Sequence, residues 1–157
     1  MAEEVKTTKK TKQKDYIFAL GKRKEATARV RLYERIKAGA TWDEMALAKG
    51  DIVVNGKPIA EYFGGDVSRS LYTGPLRITN AHQKNYTFTI KVDGGGPSGQ
   101  LQAVIAGIAN ALNKLDAEKY RPILKKKGFL TRDARVRQRR KVGMGGKSRR
   151  KRQSPKR

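Results

Sequence analysis

The sequence predicts an α+β domain, a small β-sheet packed against helices, with a basic arm at each end. Three observations predict it. Residues 26–33 and 86–92 alternate apolar and polar side chains with the period of a half-buried strand. Leu101, Val104, Ile105, Ile108, Leu112 and Leu115 fall at i, i+3, i+4, i+7, i+11 and i+14, one apolar helical stripe. Residues 132–157 hold 13 Lys or Arg, one Asp, and no Leu, Ile, Phe, Tyr or Trp, so they cannot build a core.

The elements follow in order. Residues 1–15 are polar and Lys-rich, without the apolar region of a secretory signal, and read as a basic disordered N-terminal extension. Glu3, Glu4 and Lys in place of Arg argue against a mitochondrial transit peptide. Residues 16–20 are a short apolar, aromatic strand, and Gly21-Lys22-Arg23-Lys24 is a basic turn. In the next strand Ala26, Ala28, Val30 and Leu32 share one face, and Thr27, Arg29, Arg31 and Tyr33 share the other. Residues 36–50 break the alternation. Thr41-Trp42-Asp43-Glu44 reads as a capping box, in which the Thr hydroxyl and the Glu each satisfy a free helix-end amide. It predicts an inserted helical connection running through Leu47 and stopping near Gly50.

Residues 52–54 are a further short strand, and Asn55-Gly56 supplies a tight turn. Pro58 opens a helical turn through Tyr62, ended by Gly64-Gly65. A polar, turn-rich stretch runs on to about residue 85. In the strand 86–92, Tyr86, Phe88, Ile90 and Val92 point inward and Thr87, Thr89 and Lys91 outward. A flexible loop, residues 93–99, leads to the long helix, where Ala106, Gly107, Ala109 and Ala111 allow close packing on a sheet. A short helix over 117–127, perturbed at Pro122, stops at Gly128. The organisation expected is a domain at 16–129 followed by an extended basic C-terminal tail at 130–157.

Charge narrows the function. The chain of 157 residues carries +23, of which +12 lies in residues 132–157 and +11 in all the rest. Such an excess attracts phosphate backbones and repels itself in the free fold. Arg outnumbers Lys nine to four in the tail, which suits forked contacts to phosphate and stacking on bases. No cysteine is present, which excludes disulfides and thiolate metal sites. The longest apolar run is far too short to span a bilayer. No basic amphipathic helix with aromatic anchors points to a membrane surface.

Each motif with enzymatic appearance has a plainer reading. Gly94-x-Gly96-x-x-Gly99 lies between a strand and a helix, as a dinucleotide fingerprint should. The second parallel strand and its acid are missing, since Asp116 and Glu118 follow the helix directly. A loop that lets the helix dock closely explains it, and the same helix N-terminus could hold an RNA phosphate. Gly146-Lys147-Ser148 imitates a phosphate-binding loop, but Lys141 occupies the required Gly position. His82 is the only histidine and has no ligand partners at recognisable spacing. Trp42, Tyr62, Phe63, Tyr72 and Tyr86 form no single-strand-binding stripe, and Trp42 and Phe63 read as small-core residues. The expectation is therefore a protein without cofactor, metal or catalysis. Its contacts with nucleic acid are expected from Lys22, Arg23, Lys24, Arg29 and Arg31. In the tail they are expected from Arg132, Arg135, Arg137, Arg139, Arg140, Lys141, Lys147, Arg149, Arg150, Lys151 and Arg152.

Several segments together resemble one family. These are residues 21–30, Val54-Asn55-Gly56-Lys57-Pro58 with Tyr62-Phe63, Gly94-Gly95-Gly96-Pro97-Ser98-Gly99-Gln100, Leu130-Thr131-Arg132-Asp133-Ala134-Arg135, and Gln153-Ser154-Pro155-Lys156-Arg157. Their order and spacing over about residues 16–157 are similar to the bacterial-type small-subunit ribosomal protein nine family. The resemblance implies a two-layer sandwich of the ribosomal protein S5 domain 2-like type. It implies a structural constituent of the cytoplasmic ribosome, bound to rRNA in the head of the small subunit beside neighbouring head proteins. It also implies that the tail reaches peptidyl-site tRNA, with Lys156 and Arg157 at the matching positions. Pro155 stands where the family typically has Ser. Residues 34–50 exceed the usual short connection, and residues 1–15 are an added arm. Two rivals remain on residues alone. An architectural DNA-binding protein would use the same charge and favour duplex DNA over folded rRNA. An enzyme using the Gly94 loop would be stabilised by a nucleotide.

Overall fold

In a computed structural model of the chain, residues 15–36, 39–43, 45–81 and 86–142 are described. In chain order, β1 (Ile17–Arg23) and β2 (Ala26–Tyr33) precede a small hairpin of β3 (Thr41–Trp42) and β4 (Met45–Ala46). Next come β5 (Ile52–Val54), β6 (Lys57–Pro58), α1 (Ile59–Tyr62) and α2 (Asp66–Ile78). Last are β7 (Thr87–Asp93), α3 (Pro97–Leu115) and α4 (Ala117–Lys126). The main sheet has five strands in the order β1-β2-β7-β5-β6, antiparallel except where β5 runs parallel to β7. With α3 packed on β1 and β2, the architecture is the expected α+β arrangement of a sheet against helices.

The alternation seen in the sequence sets the two faces. Ala26, Ala28, Val30 and Leu32 are buried toward α3, whose Val104, Ile108 and Leu112 are fully buried against them. The layers approach closely because glycines meet at the crossing. A Cβ at Gly21 would strike the Ala103 carbonyl and the Gly107 backbone, and one at Gly107 would lie 2.5 Å from Val30 Cγ2. Asn110 Nδ2 and Lys114 Nζ of α3 donate to the carbonyls of Leu20 and Phe18, each at 2.9 Å. Two acceptors on the edge strand β1 are thereby satisfied, and an unpaired strand edge is blunted.

Other local signals act as expected. Asn55 (φ 47°) and Gly56 (φ 75°) form the tight turn between β5 and β6, and Pro58 leads into α1. Asp116 caps α4 by accepting from the Lys119 amide at 3.0 Å, and Gly128 (φ 78°) follows the helix. Pro122 is accommodated inside α4.

Three expectations are corrected. The 36–50 connection is not helical where it is described: Thr41 pairs with Ala46 and Trp42 with Met45. Asp43 has φ 45°, a left-handed conformation that Asp tolerates in a turn and a helix forbids. Thr41 and Trp42 are thus strand residues and Asp43 a turn residue, and the Leu47 amide closes the hairpin on the Ala40 carbonyl at 2.9 Å. The stretch expected to be turn-rich contains the 13-residue helix α2, which passes through Gly74 and Pro75. Both residues disfavour helix, but burial of Tyr72, Pro75 and Leu76 outweighs them. Thr87 and Thr89 do not face solvent, each being 1% exposed. On their face of the sheet, Thr87 Oγ1 accepts from the Gly50 amide (3.0 Å) and donates to the Ala48 carbonyl (3.2 Å). The inserted segment therefore shelters that end of the outer face.

Candidate nucleic-acid interface

The basic face lies on the side of the sheet away from α3. Strand register places Leu20, Arg29 and Lys91 in one row across β1, β2 and β7, and Phe18, Arg31 and Thr89 in the next. Lys22 stands opposite Thr27 at the end of the same face. Lys22, Lys24, Arg29, Arg31 and Lys91 are all exposed. Lys24 occupies the β1–β2 turn with φ 52°. Acid compensates little: Asp93 approaches Arg29 at 3.6 Å, with both side chains more than half exposed. Phe18 and Leu20, 40% and 43% exposed, put apolar surface between these cations. Cation and apolar surface together suit a partner with a charged backbone and flat, apolar bases.

Arg23 is separated from this group. Strand alternation turns it toward α3, and its side chain is only 13% exposed. Its Nε donates to Gln102 Oε1 at 2.6 Å, and its Nη1 donates to the Arg135 carbonyl at 2.7 Å. Its Nη2 lies 3.1 Å from Asp133 Oδ2. Asp133 also accepts from Arg135 Nη2 at 2.7 Å and from the Arg135 amide at 3.0 Å. The Arg135 side-chain bonds, its amide and the charges of Arg135 and Arg23 hold the Asp133 carboxyl well below the usual carboxylate range. This knot ties the root of the tail to β1 and α3. In the sequence Arg23 groups with the cations of the expected nucleic-acid surface, and nothing there gives Asp133 a role. One signal was available, since Asp133 is the sole acid among residues 132–157.

Beyond the knot the chain runs without helix or strand through residue 142, with Arg132, Arg135, Arg137, Arg139, Arg140 and Lys141 exposed. Residues 136–142 pass the Gly95–Gly99 loop and the Lys24-Glu25 turn, and the three segments enclose a groove of about 900 Å³. Six of its lining residues are cationic, with Glu25 as the single acid. The glycine loop itself is shaped by packing. A Cβ at Gly94 would lie 2.6 Å from the Glu25 carbonyl oxygen, and one at Gly95 3.0 Å from Ala26 Cβ. Close docking on the β1–β2 turn thus accounts for Gly94 and Gly95, whereas a Cβ at Gly96 would meet open space. Lys147, Arg149, Arg150, Lys151, Arg152, Lys156 and Arg157, and His82 with them, lie outside the described residues. Among the described residues no cluster of His, Cys, Asp or Glu could hold a metal ion. No helix there is long and apolar enough to cross a membrane.

Comparison with known proteins finds relatives of the chain. The family described as ribosomal protein S9/S16 matches residues 21–157. The chain is also similar to the small ribosomal subunit protein uS9 of Leifsonia xyli subsp. xyli (strain CTCB07). Identity is 44% over 126 residues, covering 80% of this chain and 67% of the relative.

Proposed function

The chain belongs to the ribosomal protein S9/S16 family, and from that premise we propose that it binds small-subunit rRNA in the head and extends its tail to the peptidyl-site tRNA. It is a structural protein of the small ribosomal subunit and not an enzyme. The observation that carries the RNA reading is the pairing of an open cationic sheet face with a cationic arm held at its root. Lys22, Lys24, Arg29 and Arg31 meet phosphates on the domain side. Arg132, Arg135, Arg137, Arg139, Arg140 and Lys141 continue the contact along the arm. Arg23 acts on the same contact by fixing where the arm departs.

Residues 143–157 add seven further cations and one acid-free path. Extended, the 26 residues from Arg132 span up to roughly 85 Å. A polycationic arm orders as rRNA neutralises it, which couples its ordering to subunit assembly. Lys156 and Arg157 are proposed to touch tRNA through charge, and Pro155 supplies no hydroxyl for a further bond. Neighbouring head proteins complete the surroundings, and no small-molecule substrate is required.

Two truncations test the reading. Removing residues 153–157 is expected to leave incorporation into small subunits near normal and to weaken tRNA retention at the peptidyl site. Removing residues 133–157 is expected to impair incorporation itself. Normal tRNA affinity in the first case would refute the tail assignment. Undiminished incorporation in the second would refute the arm's role in rRNA binding.

A further inference from the structure

The inserted hairpin builds a cavity that the rest of the domain does not need. It opens at the end of the β1–β2 ladder and measures about 620 Å³. That is within the range of about 300–1,000 Å³ common to ligand pockets. Tyr16, Tyr33 and Trp42 are its aromatic walls, and Ile17, Ile36 and Leu47 are among the aliphatic ones. Phe63 is buried in the core as its sequence suggested, whereas Trp42 is only half-buried and is absent from the core cluster. The Trp42 ring thus serves the cavity and not the main core.

Asp15, Glu34 and Arg35 also stand in the wall, and the cation that approaches the aromatic rings from the sheet face is Arg31. Tyr16 and Tyr33 lie 5.8 Å apart with rings tilted by 52°. The Arg31 guanidinium sits 4.9 Å from the centre of the Tyr16 ring. Arg31 belongs to the exposed cationic rows of the outer face, in register with Phe18. A polyanion lying along that face would therefore pass directly beside an aromatic cavity. Single-stranded RNA has the matching form, since its bases can be splayed from the backbone and stacked on aromatic side chains. We infer that the hairpin cavity receives one unstacked nucleobase of rRNA, stacked on Trp42 or Tyr16, while Arg31 holds the adjoining backbone. The inference rests on the rRNA-binding reading and adds a base-binding site to it.

Trp42 is the only tryptophan of the chain, so its emission reports on this site alone. The experiment titrates the full chain with purified small-subunit rRNA, following binding by filter retention and Trp42 by fluorescence. Ultraviolet cross-linking then identifies the peptides attached to RNA. The inference predicts quenching that saturates together with binding, and cross-links within peptides carrying Tyr16, Tyr33 or Trp42. Trp42→Ala should weaken binding roughly five- to a hundredfold. Trp42→Phe should retain most of the affinity and control for collapse of the hairpin. Binding with unchanged emission, and cross-links confined to the basic segments, would overturn the base site and leave rRNA binding intact. Absence of rRNA binding would overturn both. Quenching by a neighbouring head protein and not by rRNA would make the cavity a protein-docking site and refute the inference.

Discussion

Asp133 shows how much one side chain can decide. It is the lone acid in a strongly cationic segment, and it draws Arg23 and Arg135 into one knot. Breaking that knot should free the tail root without disturbing the core. Asp133→Asn is expected to lower the amide heteronuclear NOE of Arg135 toward that of a mobile chain, while values in α3 stay unchanged. An unaltered NOE at Arg135 would contradict the clamp. The pH dependence follows from the lowered pKa of this carboxyl. A carboxylate whose folded value lies below the ordinary value of about 3.9 stabilises the fold fully above that value. The contribution is lost only as pH falls through the lower folded value. The clamp should therefore hold from neutral pH down through about pH 4 and yield only in stronger acid. A carbonyl NMR titration of Asp133 at or above the ordinary carboxylate range would refute this.

At the scale of elements, legibility followed the strength of local signals. The strand 26–33 and the helix stripe of α3 declared themselves, because each buries one face against the other at its own period. The Asn55-Gly56 turn was equally readable, since few residues adopt its left-handed angles. The insertion was not readable, because Thr41-Trp42-Asp43-Glu44 satisfies a capping box and a two-residue hairpin turn alike. Only its packing near β5 and β7 decides between them: Asp43 Cβ would lie 3.4 Å from a Cβ at Gly56. The helix α2 was hidden by Gly74 and Pro75 for a similar reason, being stabilised by tertiary burial. Thr87 and Thr89 test the sheltering role of the insertion. Thr87→Val should cost about 1–2 kcal/mol, because the Gly50 amide and the Ala48 carbonyl lose their partner. The Thr89 hydroxyl is buried with no hydrogen-bond partner among the described residues, so Thr89→Val should be neutral or stabilising. Denaturant melts of the two variants check both outcomes, and equal destabilisation would contradict the packing assigned to the insertion.

Across the whole molecule, charge is divided between a folded domain and an arm, and the proposed RNA contact draws on both. The domain offers Lys22, Lys24, Arg29 and Arg31 on an open face, and the Arg23–Asp133 contact starts the arm from a fixed point. Composition alone disclosed the arm and its class of partner. The separation of Arg23 from its neighbours depended on strand parity and on a contact 110 residues away in sequence, which no local pattern records. Because the affinity is assigned mainly to phosphate contacts, loose attachment would be stripped by salt, whereas an arm threaded through folded rRNA would resist it. The most direct measurement is sedimentation of the tagged chain with small ribosomal subunits after a high-salt wash. The account predicts that the chain stays with the small subunit. Its recovery as free protein at the top of the gradient, or in the DNA-containing fractions, would contradict the assignment to the subunit.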